Sequence, residues 1–317
     1  MVANSTCDMQ MEVIVLGSSS ATPAHGRHPS SQVFHLNNDY YLIDCGEGTQ
    51  MQMQAYEIKR NRINHIFISH LHGDHFFGLI GLLTSYNLMK RQADLTIYAP
   101  ADLREMILVQ LKLTDCELSY ALNFKPIQME HAIIFENQEL TVETIPLNHR
   151  IACVGFVFRE KPGERKIIKS QIDKYQIPIS ELPGIKKGNS FVTDRGIEIS
   201  NELLTTAPKP CRSYAYISDT SYLPEIAPLL NGVDLLYHEA TFGNANLQRA
   251  IETYHSTATQ AALIAQAANV NELMIGHFSA KYKNEDLPEL LEEAKAIFPN
   301  TKLAIEGTVV EISPIID

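Results

Sequence analysis

His70-Leu71-His72-Gly73-Asp74-His75 is the stretch on which the reading of this chain turns. Three imidazoles and one carboxylate stand within six residues, all of them nitrogen or oxygen donors of the kind that suit zinc. Residues 66–69 before it read as a short apolar strand, and residues 74–89 after it as one long apolar helix with Asp74 as its capping residue. In an extended segment, residues two apart point the same way, so His70 and His72 can reach one ion. Asp74 and His75, at the start of the helix, can turn toward a second ion beside it.

A closed structural zinc site needs four ligands, whereas a catalytic pair of ions needs more and must leave room for water. The rest of the chain offers further donors just past predicted strands, where loops carry function. His149 follows a strand over residues 140–145, Asp219 one over 214–217, and His277 one over 273–275.

The surrounding pattern predicts where those strands lie. Residues 12–16 form a buried strand, and residues 33–36 and 40–43 a hairpin joined by Asn37-Asn38-Asp39. Helices are expected over 49–58, 103–113, 257–268 and 288–297, and strands over 95–99, 234–238 and 272–276. Strands dominate from 132 to 158. Each half is thus β-rich and then helical, which points to an α/β chain with two sheets packed face to face and helices outside.

Bulk composition narrows the class. At 317 residues with 45% hydrophobic content, the chain can bury a full core. The longest nearly uninterrupted apolar run, 76–83, falls far short of the ~20 residues that cross a bilayer, so no membrane partner is expected. Five scattered cysteines without a C-x-x-C pair argue against disulfides and point to a reducing, cytoplasmic compartment. Residues 1–10 are polar and are set apart as a disordered or artificially appended N-terminus, leaving 11–317 as the folded domain.

A net charge of −11 is unhelpful to nucleic-acid binding unless it is offset locally. Between residues 159 and 191, prolines, glycines and lysines crowd in, with one helical candidate over 167–175. From Arg159 to Gly188 there are eight basic residues against four acidic ones. The segment reads as a basic insertion in an acidic chain.

The His70–His75 run with His149, Asp219 and His277 resembles the metallo-β-lactamase superfamily. That resemblance implies a four-layer αββα sandwich carrying two metals at one edge. By it, His70, His72 and His149 hold one zinc, Asp74, His75 and His277 the other, and Asp219 bridges them. Further runs, Asp44-Cys45-Gly46-Glu47-Gly48-Thr49-Gln50, His238-Glu239-Ala240-Thr241, His255-Ser256-Thr257 and His277-Phe278-Ser279-Ala280-Lys281-Tyr282, resemble the short ribonuclease Z family. The implied activity is endonucleolytic removal of the 3′ trailer of precursor tRNA after the discriminator base, leaving a 3′ hydroxyl.

The same resemblance implies two zinc ions per subunit, with Asp74 accepting the water's proton as well as holding metal. Glu239 and His255 suit a proton donor with its orienting carboxylate; for His238 a structural role is favoured. The insertion at 159–191 corresponds to a flexible arm gripping the tRNA body, with Arg159, Lys161, Arg165, Lys166, Lys186 and Lys187 as phosphate contacts that orient without reading sequence. Pro183-Gly184 stands where the family's arm usually carries Gly-Pro. A homodimer, one subunit's arm serving the other's site, is implied too. Two other readings stay open at this point: another two-zinc hydrolase of the same fold (phosphodiesterase, arylsulfatase-like or thioester), and a noncatalytic RNA-binding protein with a vestigial zinc site.

Overall fold

A computed structural model describes residues 10–314. Apart from Gln10, the expectation for residues 1–10 lies outside the described residues. Gln10 itself is tied down, its carbonyl accepting from Asn37 N–H at 2.8 Å.

Two seven-stranded sheets make the frame. The first runs in the order Val309–Glu311, Met11–Gly17, Ser31–Leu36, Asp39–Ile43, Ile63–Phe67, Leu95–Ala99 and Leu122–Pro126. The second runs Thr301–Leu303, Glu272–Gly276, Leu235–Glu239, Ser213–Ile217, Val154–Glu160, Leu140–Pro146 and Ile133–Glu136. The last strand of the chain returns to the first sheet, pairing Val310 with Val13, so the two halves are clasped rather than strung together.

Period-two alternation in these strands separates three cores, one between the sheets and one on the outer face of each. Val13, Val15, Tyr41 and Ile43 enter the layer between the sheets, where Phe34 and Phe67 meet Phe156, Phe158, Tyr214 and Tyr216. Their neighbours Ile14, Leu16, Tyr40 and Leu42 point the other way, under helices Leu79–Leu88 and Asp102–Leu113. Helices Ala258–Ala267 and Leu287–Lys295 cover the outer face of the second sheet with Ala261, Ala265 and Leu290. Burying a large apolar side chain stabilises by about 1.5–3 kcal/mol, so the aromatic middle layer sets the register of the sandwich. The expected αββα architecture is the one observed. Among the described residues no helix is long and apolar enough to cross a membrane, and Cys45, Cys116, Cys153 and Cys211 are free thiols.

The helix expected over 74–89 is broken. Gly73–Phe76 forms one turn and Leu79–Leu88 a second helix. Cys45 diverts the ladder: its N–H donates to His75 O at 2.8 Å, and its carbonyl accepts from Gly78 N–H at 2.9 Å. A Cβ on Gly78 would lie 2.1 Å from the Gly46 carbonyl oxygen, so only glycine admits this approach. Asp74 lies inside the first turn rather than capping it, and His72 holds the cap position.

The expected insertion of 159–191 differs in extent. Arg159 lies in strand Val154–Glu160 and pairs with Ser213, so it belongs to the second sheet. The segment beyond Lys161 runs on past Phe191 to Arg212, where Arg212 and Glu160 close its root through a two-point ion pair at 2.8 and 2.9 Å. It has a small core of its own, Ile177, Ile185, Phe191, Ile199 and Leu204, and two short ribbons, Lys166–Ile167 with Thr205–Thr206 and Phe191–Val192 with Glu198–Ile199.

Candidate active site

Strands Asp39–Ile43 and Ile63–Phe67 run parallel, as do Ser213–Ile217, Leu235–Glu239 and Glu272–Gly276. Loops beyond the C-terminal ends of such strands are where α/β sheets gather functional groups. Here those loops deliver Ser69–His75, Asp219, Glu239–Thr241 and His277, and the end of Leu140–Pro146 adds His149.

All seven sequence-predicted metal donors come together. In one cluster, His72 Nδ1 lies 3.1 Å from His70 Nε2 and 3.1 Å from His149 Nε2. In the other, His75 Nε2, His277 Nε2 and Asp74 Oδ2 stand 3.4–3.5 Å apart. Asp219 lies between them and divides its carboxylate. Its Oδ2 is 3.6 and 3.7 Å from His70 and His149, and its Oδ1 is 3.4 and 3.3 Å from His75 and His277.

Four of the five inward-facing imidazoles, all but His72, have a partner behind them, which sets ring orientation and leaves the inner nitrogen free to act as a ligand. Asp44 Oδ2 takes His75 Nδ1 at 2.7 Å, and Ser69 Oγ lies 3.0 Å from His70 Nδ1. The Tyr254 carbonyl accepts from His149 Nδ1 at 2.9 Å, and Thr241 Oγ1 lies 2.9 Å from His277 Nδ1. His277 is carried in the left-handed region, φ 60°, by the turn that swings it off its strand.

The electrostatics fit a cation. Burial, then the neighbouring His75, hold the His70 pKa well below its ordinary value, and burial lowers His149 and His72 as well. Burial opposes ionisation of Asp219, but His277, His75 and His70 outweigh it; for Asp74, likewise buried, His75 and His277 do so. Around His75, burial is outweighed by Asp219, Asp74 and Asp44, which draw positive charge onto the ring.

Asp219 Oδ1 is buried with no hydrogen-bond donor among the described residues. Leaving a buried carboxylate oxygen unmet is costly. Imidazole nitrogens converging at 3.1–3.7 Å on one another and on the carboxylates of Asp74 and Asp219 are what a metal ion resolves. The separations also match the edges, about 3.3–3.6 Å, of a tetrahedron with ligand bonds of 2.0–2.2 Å. The donor set fits a metal ion.

A cleft of about 430 Å³ opens over this point, lined by His72, Asp74, Asp219 and His255 at its floor and by Ala21, Pro23, Pro29, Glu47, Phe77 and Arg150 on its walls. His255 Nδ1 lies 3.0 Å from Glu239 Oε1. Burial opposes the His255 imidazolium, but Glu239 outweighs it and pushes the pKa up to about 9. Glu239 also accepts from Ser256 N–H, Thr220 N–H and Thr241 N–H, at 2.9, 3.2 and 2.9 Å. His238 turns away, its Nδ1 bonding the Glu239 carbonyl at 2.7 Å.

The chain resembles known proteins over nearly its whole length. It is 47% identical to ribonuclease Z of Bacteroides fragilis, with 96% of this chain and 99% of that one aligned. The chain belongs to the ribonuclease Z family. That name places it among phosphodiester-hydrolysing endoribonucleases. A family model described as anti-Pycsar protein Apyc1 matches residues 11–173, a stretch that stops before Asp219, Glu239, His255 and His277. Among solved structures, human tRNase Z, short form, superposes with a TM-score of 0.69 at 26% identity, covering 96% of this chain and 100% of that one. The metallo-β-lactamase fold protein YhfI of Bacillus subtilis, at 20% identity and TM-score 0.66, covers 96% and 100% and shares the fold.

In this ribonuclease Z family member the six basic residues expected to hold RNA divide into two groups. Arg159 Nη2 donates to the Leu229 carbonyl at 3.0 Å and its Nε to Glu143 at 3.2 Å, while Lys161 pairs with Glu136, so both are engaged at the root. Arg165, Lys166, Lys186 and Lys187 lie on the small folded unit itself. Sequence reasoning passed over Asp44, Ser69 and Thr241 as supports of the clustered donors. The signal available was Asp44 itself, a carboxylate within the Asp44–Gln50 run.

Proposed function

We propose that the chain is a zinc-dependent endoribonuclease that removes the 3′ trailer of precursor tRNA, cutting after the discriminator base and leaving a 3′ hydroxyl on the tRNA. The observation that carries this reading is the shared Asp219: one carboxylate serves two donor clusters on the floor of a cleft that also holds the His255–Glu239 pair, in a chain of the ribonuclease Z family. His70, His72 and His149 would hold one zinc and Asp74, His75 and His277 the other, with Asp219 common to both. Bound there, two zinc ions would neutralise phosphodiester oxygens and make water a stronger acid near neutral pH.

The remaining steps belong to side chains. Asp74 takes the proton released by the attacking water. The water oxygen forms a bond to phosphorus while the bond from phosphorus to the ribose 3′ oxygen breaks. That oxygen leaves poorly as an anion, so His255, with Nδ1 held on Glu239, delivers a proton to it from Nε2. Glu239, fixed by backbone donors, stays ionised and keeps the ring aimed. The folded unit beyond Lys161 grips the tRNA body through Arg165, Lys166, Lys186 and Lys187; Arg159 and Lys161 contribute less, being engaged at its root. We place the enzyme in the cytoplasm as a homodimer in which each unit reaches the partner's cleft.

The test is incubation with an unprocessed precursor tRNA and mapping of the cut to one nucleotide. A single cut after the discriminator base, with a 3′ hydroxyl on the tRNA, is expected. Cuts scattered along the RNA, or none, would remove the tRNA assignment.

A further inference from the structure

We propose that Phe77 is a stacking platform for a base next to the scissile phosphate, an inference that rests on the endoribonuclease reading above. Phe76 and Phe77 are consecutive, yet the core takes only the first: Phe76 is 4% exposed and Phe77 64%. The Phe77 ring lines the cleft whose floor is His72, Asp74, Asp219 and His255. An apolar ring left in water at the mouth of a polar site gives up burial energy in the free protein, which points to a ligand that covers it.

Local structure fixes the ring over the metal-bearing turn. Phe77 N–H donates to the Gly73 carbonyl at 2.9 Å, and the ring sits where a Gly73 Cβ would be, 2.2 Å from its nearest ring carbon. Phe76 backs it in an edge-on contact with centroids 4.9 Å apart. The platform is therefore tied to the same turn that carries His72, Asp74 and His75. A phosphate held on the cleft floor brings its neighbouring base to this wall. The same cleft is lined by Arg150, exposed and without an ion-pair partner among the described residues, a contact for the adjoining backbone.

Stacking suits the substrate class. Every base presents a π-face, so an aromatic platform holds a single-stranded nucleotide in place without demanding one sequence. An enzyme acting on many RNAs that share a shape needs that tolerance.

The experiment compares wild type with Phe77→Ala, Phe77→Leu and Phe77→Trp on a precursor tRNA, and on the same RNA made abasic at one or the other nucleotide flanking the cut. Loss of one stack corresponds to about a 5- to 150-fold fall in kcat/KM for Phe77→Ala, carried mainly by KM. Phe77→Trp should retain activity, and Phe77→Leu should not. On the RNA lacking the stacked base, wild type and Phe77→Ala should converge. Equal kcat/KM for wild type and Phe77→Ala, recovery by Phe77→Leu, or an undiminished penalty on both abasic RNAs overturns the proposal, as does a change of assembly state in Phe77→Ala by light scattering. A wild type that leaves precursor RNA uncut overturns the functional reading and this one with it. Cleavage by wild type with no effect at Phe77 overturns only the stacking role.

Discussion

Asp44 Oδ2 lies 2.7 Å from His75 Nδ1, both side chains wholly buried behind the metal donors. The carboxylate also accepts from Ser69 N–H, Ser69 Oγ and Tyr216 OH, each at 2.8 Å. It therefore holds one of the clustered donors directly and locks the start of the loop that carries three others.

Asp44→Asn should keep the fold but misalign His75. Outer partners of metal ligands are typically worth about 10–100-fold in affinity or activity. Zinc affinity measured by competition with a chromophoric chelator should fall by that order. Unchanged affinity would mean that His75 is positioned by packing alone.

His72→Ala removes the nitrogen that faces both His70 and His149. We expect loss of one metal equivalent by elemental analysis and a fall in cleavage to background, because such sites fail without a first ligand. Full activity with full metal content would exclude His72 as a ligand.

His255→Ala is expected to behave differently. Its Nδ1 is held on Glu239, and although the ring also lies beside Asp219 and His277, the seven other donors remain in this variant, so metal content should stay at the wild-type value while kcat falls about 10²–10⁴-fold, the usual span for a positioned acid. Zinc loss in this variant would contradict the role of proton donor.

Three features show how far the sequence could be read. The seven donors were legible because each follows a strand, and a strand end fixes where its next residues point. The break between Phe76 and Leu79 was not, since the apolar pattern continues unbroken through it. Its cause is the backbone of Cys45, about thirty residues away in sequence, and local propensity carries no record of such a partner. Asp44 was visible as a carboxylate but not as a support, because its task is set by Ser69, His75 and Tyr216 from two other segments. The insertion's far end escaped for a related reason: its composition fades before Arg212, and the end is marked by the Arg159–Ser213 register rather than by residue type.

Replacing residues 162–210 with a short linker spares the strand and its Glu160–Arg212 closure. Hydrolysis of bis-p-nitrophenyl phosphate should continue at about the wild-type rate, while kcat/KM on precursor tRNA should fall at least about tenfold through KM, as expected when phosphate contacts that orient the RNA are lost. Full efficiency on tRNA would mean that the folded unit does not grip the RNA.

The most direct measurement is to strip the protein with chelator, return zinc stepwise and follow cleavage of a precursor tRNA. Activity should be absent at the start and rise to a plateau at two equivalents per chain, with every product ending at the discriminator base. Cleavage by the stripped protein, or a plateau at one equivalent, would contradict a centre in which Asp219 serves two ions.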